Sequence, residues 1–162
     1  MNQLFPHMPI PEPLALEFLG TFARCEYALK GSGYAKGDSN SVEANWDKFA
    51  NDIDWHFRRV ADKSFRKAVD YLLSEPPRKQ VLEEERLRWR VSSPNPQLPK
   101  AQQTLLMVRR VRNNLFHGAK VWSPEYDNRP RDIRLLKAGL VVLRQSVQLK
   151  QQVHTAFQYG AV

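Results

Sequence analysis

Cysteine is nearly absent from this chain. Its 162 residues include one, Cys25, so no intrachain disulfide can form and a reducing compartment is expected. Long hydrophobic runs are missing too. The longest, Gly139 to Leu143, is far too short to cross a bilayer, which excludes a helical membrane span. The first residues, MNQLFPHMPIPEP, have neither a basic start nor an unbroken apolar stretch; this argues against a signal peptide and for a cytoplasmic protein. Internal repeats and low-complexity tracts are lacking. With 42% hydrophobic and 26% charged residues, residues 1–162 suit one soluble domain with its own core.

Acidic residues are scarce in one stretch. Residues 100–150 hold 11 Lys and Arg against 3 Asp and Glu, which accounts for the whole net charge of +8; residues 1–99 balance at 14 each. A local excess of positive charge suits a polyanion, with nucleic acid the usual one. The alternative is a solvated basic face that serves solubility.

What is present reads mostly as helix. Pro6, Pro9, Pro11 and Pro13 keep residues 1–13 an extended arm. Leu14, Phe18, Phe22, Cys25 and Leu29 recur at three- and four-residue steps and predict a helix from Leu14 to Lys30. Gly31, Gly33 and Gly37 open a loop, and Ser41 is a candidate cap. Val42 to Leu73 is periodic enough for one long helix or two that meet at a bend, with Trp46, Phe49, Ile53, Phe57, Val60, Ser64 and Tyr71 along its stripe. Asp52, Asp54 and His56 do not converge on a helix, since Asp54 points about 160° from the other two. They predict a charged surface rather than a metal site.

Glu75-Pro76-Pro77 ends that segment. Residues 76–99 form a proline-rich insertion, in which the alternation Leu87-Arg88-Trp89-Arg90-Val91 predicts a short extended piece. Leu87, Trp89 and Val91 are expected to face inward and Glu83 to Glu85 to stay in water. A central helix starts near Lys100, after Pro99. Residues Ala119 to Pro130 read as a loop, with Ser123-Pro124 and Asp127-Asn128 as turn signals. A final helix runs from Arg131 to Phe157, with a seam of Ile133, Leu136, Leu140, Leu143 and Val147. The expected fold is all-α: an antiparallel four-helix bundle with the insertion before the central helix.

The chemistry concentrates in that central helix, AQQTLLMVRRVRNNLFHGAK from Ala101 to Lys120. Leu105, Val108, Leu115 and Phe116, with Val111 beside them, make an apolar stripe. Arg109, Arg110, Arg112, Asn113, Asn114 and His117 are threaded between, and Gly118 stands where a helix ends left-handed. Histidine suits proton transfer near neutral pH, and the planar fork of arginine suits a phosphate. Asn113 lies one turn before His117, where its amide can orient the imidazole. Arg112 and His117 are five residues apart, about 140° around a helix. One straight helix does not converge them; a long side chain or a bend near its C-terminus would narrow the gap, and two copies packed about a two-fold axis would close it. The ordinary alternative is a histidine favoured by the helix macrodipole, with arginines solvating the exposed side.

Val111-Arg112-Asn113-Asn114-Leu115-Phe116-His117-Gly118 resembles the signature of the HEPN superfamily: an Arg followed after four to six residues by His, with a polar residue, often Asn, directly after the Arg. Glu26 to Lys30, Trp46 to Ala50 and Pro76 to Gln80 resemble flanking segments of a bacterial or plasmid-borne HEPN subgroup. The resemblance implies an α-helical bundle that dimerises through the motif helix. In many members that bundle cuts RNA without a metal or other cofactor, as a toxin or phage-defence effector restrained by an antitoxin. Other members are non-catalytic RNA- or nucleotide-binding or dimerisation modules. Carried over residue by residue, Arg112 and His117 would be catalytic, with Asn113 and Glu26 in support. Arg109, Arg110, Asn114 and Lys120 would bind the RNA. Attack by the ribose 2′-OH would leave a 2′,3′-cyclic phosphate and a 5′-hydroxyl.

Overall fold

The computed structural model describes residues 4–118, 122, 125 and 127–160. Helix α1 runs over Glu12–Gly31, with Pro13 in its first turn, where a missing N–H costs nothing. Its buried face includes Phe18, Phe22, Cys25 and Leu29, as the periodicity predicts.

No helix follows at Val42. Ala35–Gly37 (β1) and Val42–Ala44 (β2) pair antiparallel, and Lys36 meets Glu43 across them at 3.1 Å. Gly37 has φ +141°, and a Cβ there would run into the Ser41 carbonyl, so this turn requires glycine. The cap of the next helix is Asn45, not Ser41: Asn45 Oδ1 accepts the Lys48 N–H at 3.1 Å and opens α2, Trp46–Phe57.

A second cap divides the long segment expected up to Leu73. Asp62 Oδ1 accepts the Phe65 N–H at 2.7 Å and starts α3, Lys63–Ser74. The interruption resets the helical phase. Phe65, Ala68, Val69 and Leu72 are therefore buried, while Ser64 is exposed and Tyr71 half-buried.

The insertion is a hairpin of β3, Lys79–Glu83, and β4, Arg86–Arg90. Glu84 and Glu85 have φ of 48° and 61°, the pair of left-handed residues that a two-residue hairpin turn needs. The extended piece is thus real, but its expected inward face is not. Leu87 is 67% and Val91 71% exposed, and Trp89 is half-buried. Two strands with no third layer across Leu87 and Val91 leave those side chains in water.

Helix α4 runs over Lys100–Phe116, α5 over Arg129–Gln148 and α6 over Gln151–Tyr159. The expected final helix is thus two, broken at Lys150, whose backbone is extended. The break lets α6 turn back onto α1. Arg24 of α1 donates to the carbonyls of Phe157 and Gln158, and Ser32 and Gln152 exchange side-chain to backbone hydrogen bonds at 3.2 Å each.

The molecule is mostly helical, with six helices and two small hairpins among the described residues in place of the four helices expected. Helix α4 packs against α2, α3 and α5, and α5 in turn against α1. Phe18, Phe49, Phe65, Leu105, Met107 and Leu136 fill the centre. Gly139 lets α5 approach α1 closely: a Cβ there would stand 2.8 Å from the Phe18 ring.

Candidate active site

The buried face of α4 is set by Leu105, Met107, Val108, Val111 and Leu115. Phe116, expected in that stripe, is 37% exposed at the helix end. The start of α4 is held from outside: Asp54 of α2 accepts the Ala101 N–H at 2.9 Å, satisfying a donor that no cap of α4 reaches. Phe116 is the last helical residue. His117 has φ −103° and ψ 28° and donates its N–H to the Asn113 carbonyl at 3.0 Å. Gly118 follows with φ +69°, the left-handed exit the sequence indicates.

That exit decides the site. His117 has left helical backbone geometry, so its ring is not bound to the direction a continuous helix would impose. Its Nε2 lies 3.1 Å from Arg112 Nη1 within one chain. A departure from straight helix at the C-terminus, rather than a second copy, closes the gap between them.

Arg112 Nη1 also donates to Asn113 Oδ1 at 3.1 Å. Asn113 therefore orients the guanidinium rather than the imidazole. On the far side the Arg112 guanidinium lies over the Phe22 ring of α1, 5.5 Å from its centroid. Arg112 Nε is buried and makes no hydrogen bond. Because a guanidinium only donates, the contact at Nε2 assigns the lone pair to that nitrogen and the ring proton to Nδ1.

His117 opens onto a groove of about 460 Å³ between α4 and the base of the hairpin, lined also by Asn113, Arg109, Lys79 and Gln80. Arg109 stands at its edge and meets Asp47 of α2 at 3.7 Å. Lys79 and Gln80 were not legible as site residues. The segment Lys79 to Glu83 shows no clean alternation, and only strand pairing brings it beside α4.

Two residues expected at an RNA surface, Arg110 and Asn114, line this groove and also hold the insertion. Arg110 Nη1 donates to the carbonyls of Pro77, at 3.0 Å, and Ser92, at 2.6 Å, and burial lowers its pKa. Asn114 is 6% exposed and donates to the Arg78 carbonyl at 2.8 Å. Both fasten the insertion to α4. Glu26 accepts from Trp46 Nε1 at 3.0 Å and ties α1 to the start of α2. Lys120 lies outside the described residues, as do Ser123 and Pro124. Of the charged trio on α2, Asp52 accepts from the Tyr34 hydroxyl at 2.8 Å, and Asp54 pairs with Arg58 besides capping α4.

No group of three or more His, Cys, Asp or Glu among the described residues is placed to hold a metal. No helix among them is long and apolar enough to cross a membrane. No family model, curated protein or solved structure matches the chain. Fold and site together define a mostly helical protein that carries an Arg–Asn–His cluster at a helix end, beside a groove with basic edges.

Proposed function

We propose that this chain is a metal-independent endoribonuclease of the HEPN type. The observation that carries the proposal is the 3.1 Å contact between Arg112 Nη1 and His117 Nε2 at the side of an open groove. A proton acceptor and an anion-binding fork are adjacent there.

In the resting arrangement Arg112 donates into His117 Nε2. A phosphodiester entering the groove draws the guanidinium to its own oxygens, which frees Nε2 as a base. The ribose 2′-OH gives its proton to Nε2, the 2′-oxygen forms a bond to phosphorus, and the bond to the 5′-oxygen breaks. Arg112 stabilises the charge gathered on the phosphorus oxygens. The departing 5′-oxygen takes its proton from the imidazolium of a second subunit. Because the nucleophile belongs to the substrate, DNA is not cut.

A homodimer joined near the end of the motif helix is part of this proposal. Beside Phe116 lies an apolar groove of about 380 Å³, lined by Phe5, Met8, Leu16, Leu19 and Trp122. Leu16 there is 70% exposed, and an open apolar surface of this kind favours a partner, which this proposal takes to be a second copy. Unrestrained RNA cutting would harm the cell that makes it. The proposal therefore includes an antitoxin protein or a phage-dependent trigger, and a toxin or defence role in the cytoplasm.

The test is cleavage of single-stranded RNA in EDTA, with analysis of the ends. The expected products carry 2′,3′-cyclic phosphate and 5′-hydroxyl. His117→Ala should cut turnover by about 10²-fold or more while RNA binding persists, and Arg112→Lys should also lose turnover because the bidentate fork is gone. Products with 5′-phosphate, or activity abolished by EDTA, would contradict the mechanism. Binding without cleavage by the wild type would leave a non-catalytic binding module.

A further inference from the structure

Strand register lines up charge on the β3–β4 hairpin. Lys79 pairs with Arg90, Val81 with Arg88 and Glu83 with Arg86. Directly opposed residues point to the same side of a ribbon, so Lys79, Arg86, Arg88 and Arg90 share one face. The one acidic residue on that face, Glu83, is engaged by Arg90. Arg86 and Arg88 are exposed and have no ion-pair partner among the described residues. Like charges set opposite one another, as Lys79 and Arg90 are, destabilise a bare ribbon. A bound polyanion would offset that repulsion.

The hairpin is held where it leaves the body. Arg110 grips the carbonyls of Pro77 and Ser92, Asn114 that of Arg78, and Arg131 that of Pro76 at 2.8 Å. Its base belongs to the groove, since Lys79 and Gln80 line the same space as His117. The basic row starts at that edge and runs to the tip. Alternate residues of a strand are about 7 Å apart, a separation close to that of successive phosphates on an extended single strand.

We propose that the β3–β4 hairpin is a substrate-guiding arm: from Lys79 at the groove edge, its Arg86, Arg88 and Arg90 face carries the phosphate backbone of single-stranded RNA beyond the His117 groove. The inference rests on the groove being an RNA site. Contacts of this kind position a strand without selecting bases, so the arm lengthens the footprint and adds no sequence preference. A dinucleotide that fits beside His117 does not reach Arg86 or Arg88, which lie outside the groove lining.

The experiment compares Arg86→Ala/Arg88→Ala with Lys63→Ala/Lys67→Ala, which removes equal charge from exposed positions on α3. Binding to a fluorescent single-stranded RNA of about 20 nucleotides is read across a salt series, with His117→Ala in every protein so that the RNA stays whole. The arm variant is expected to bind about tenfold more weakly, with a log–log salt slope shallower by about 1.4, or about 0.7 for each phosphate released. Dinucleotide cleavage, read in proteins that keep His117, should match that of the wild type. The α3 variant should leave all three quantities unchanged. Equal losses in both double variants, or an unaltered salt slope in the arm variant, would overturn the arm. Arm-dependent binding by a wild type that never cuts RNA would sink the nuclease and keep the arm. Full cleavage with no contribution from Arg86 and Arg88 would do the reverse, and a wild type that binds no RNA would end both.

Discussion

One arginine nitrogen joins the cluster: Arg112 Nη1 donates to His117 Nε2 and to Asn113 Oδ1, each at 3.1 Å. Elsewhere single residues record burial. Cys25 is fully buried, and burial, with a smaller contribution from Glu26, pushes its thiol from 9.0 up to about 12. Burial and then the hydrogen bond to Asp52 push the Tyr34 hydroxyl from 10.0 up to about 12. In both cases the unfolded chain ionises first, so the folded state holds more protons and stability falls as pH rises. The loss begins near pH 9 for Cys25 and near pH 10 for Tyr34, at about 1.4 kcal/mol per pH unit for each group. Urea midpoints measured from about pH 8 to pH 11 should show this decline. Cys25→Ala should delay its onset by about one pH unit. A flat midpoint across the range would contradict both assignments.

At the scale of elements, the insertion shows how one basic helix face serves two purposes. Arg109, Arg110, Asn113, Asn114 and His117 all border the groove, and Arg110 and Asn114 also hold the hairpin. Arg110→Ala would leave the Pro77 and Ser92 carbonyls without their donor. A hydrogen bond from a charged group is worth about 1.5–3 kcal/mol, so the thermal midpoint should fall and limited proteolysis should open the chain between residues 78 and 92. Unchanged stability together with weakened RNA binding would instead mean that Arg110 faces RNA, as the sequence alone suggested. The ends of α4 were legible, from Pro99 at the start to Gly118 at the exit. Asn45 and Asp62 are capping types, but the apolar period of residues 42–73 nearly carries through the interruption and hides them. The break at Lys150 has no side-chain cap. It follows from the grip of α1 on α6.

At the scale of the whole molecule, charge that is contiguous in sequence is dispersed in space. Within residues 100–150, Lys100 meets Asp70, Arg109 meets Asp47, Arg144 meets Glu17, and Arg134 lies over the Tyr71 ring at 3.9 Å. Exposed arginines without an ion pair among the described residues stand instead on the hairpin, at Arg86 and Arg88, in the part of the sequence whose charges balance. The apolar groove beside Phe116 makes its own prediction. Sedimentation should show a dimer, and Leu16→Glu should shift it to monomer while helical circular dichroism stays unchanged. A wild type that sediments as a monomer at micromolar concentration would remove the dimer from the mechanism.

The sequence by itself determined the helical character, the apolar stripes of α1 and α4, and the end of the motif helix at His117 and Gly118. Those features are local: they follow from side-chain periodicity and from glycine's access to a positive φ. It also brought Arg112, Asn113 and His117 to notice, though not their contacts. Tertiary structure decided that one chain suffices to join Arg112 and His117, since the angle between them depends on where the helix stops rather than on their spacing. It decided, too, which arginines are committed to the fold and which face solvent. A guanidinium's partner is chosen by whichever carbonyl or carboxylate the packing brings near, and no spacing rule along the chain contains that information.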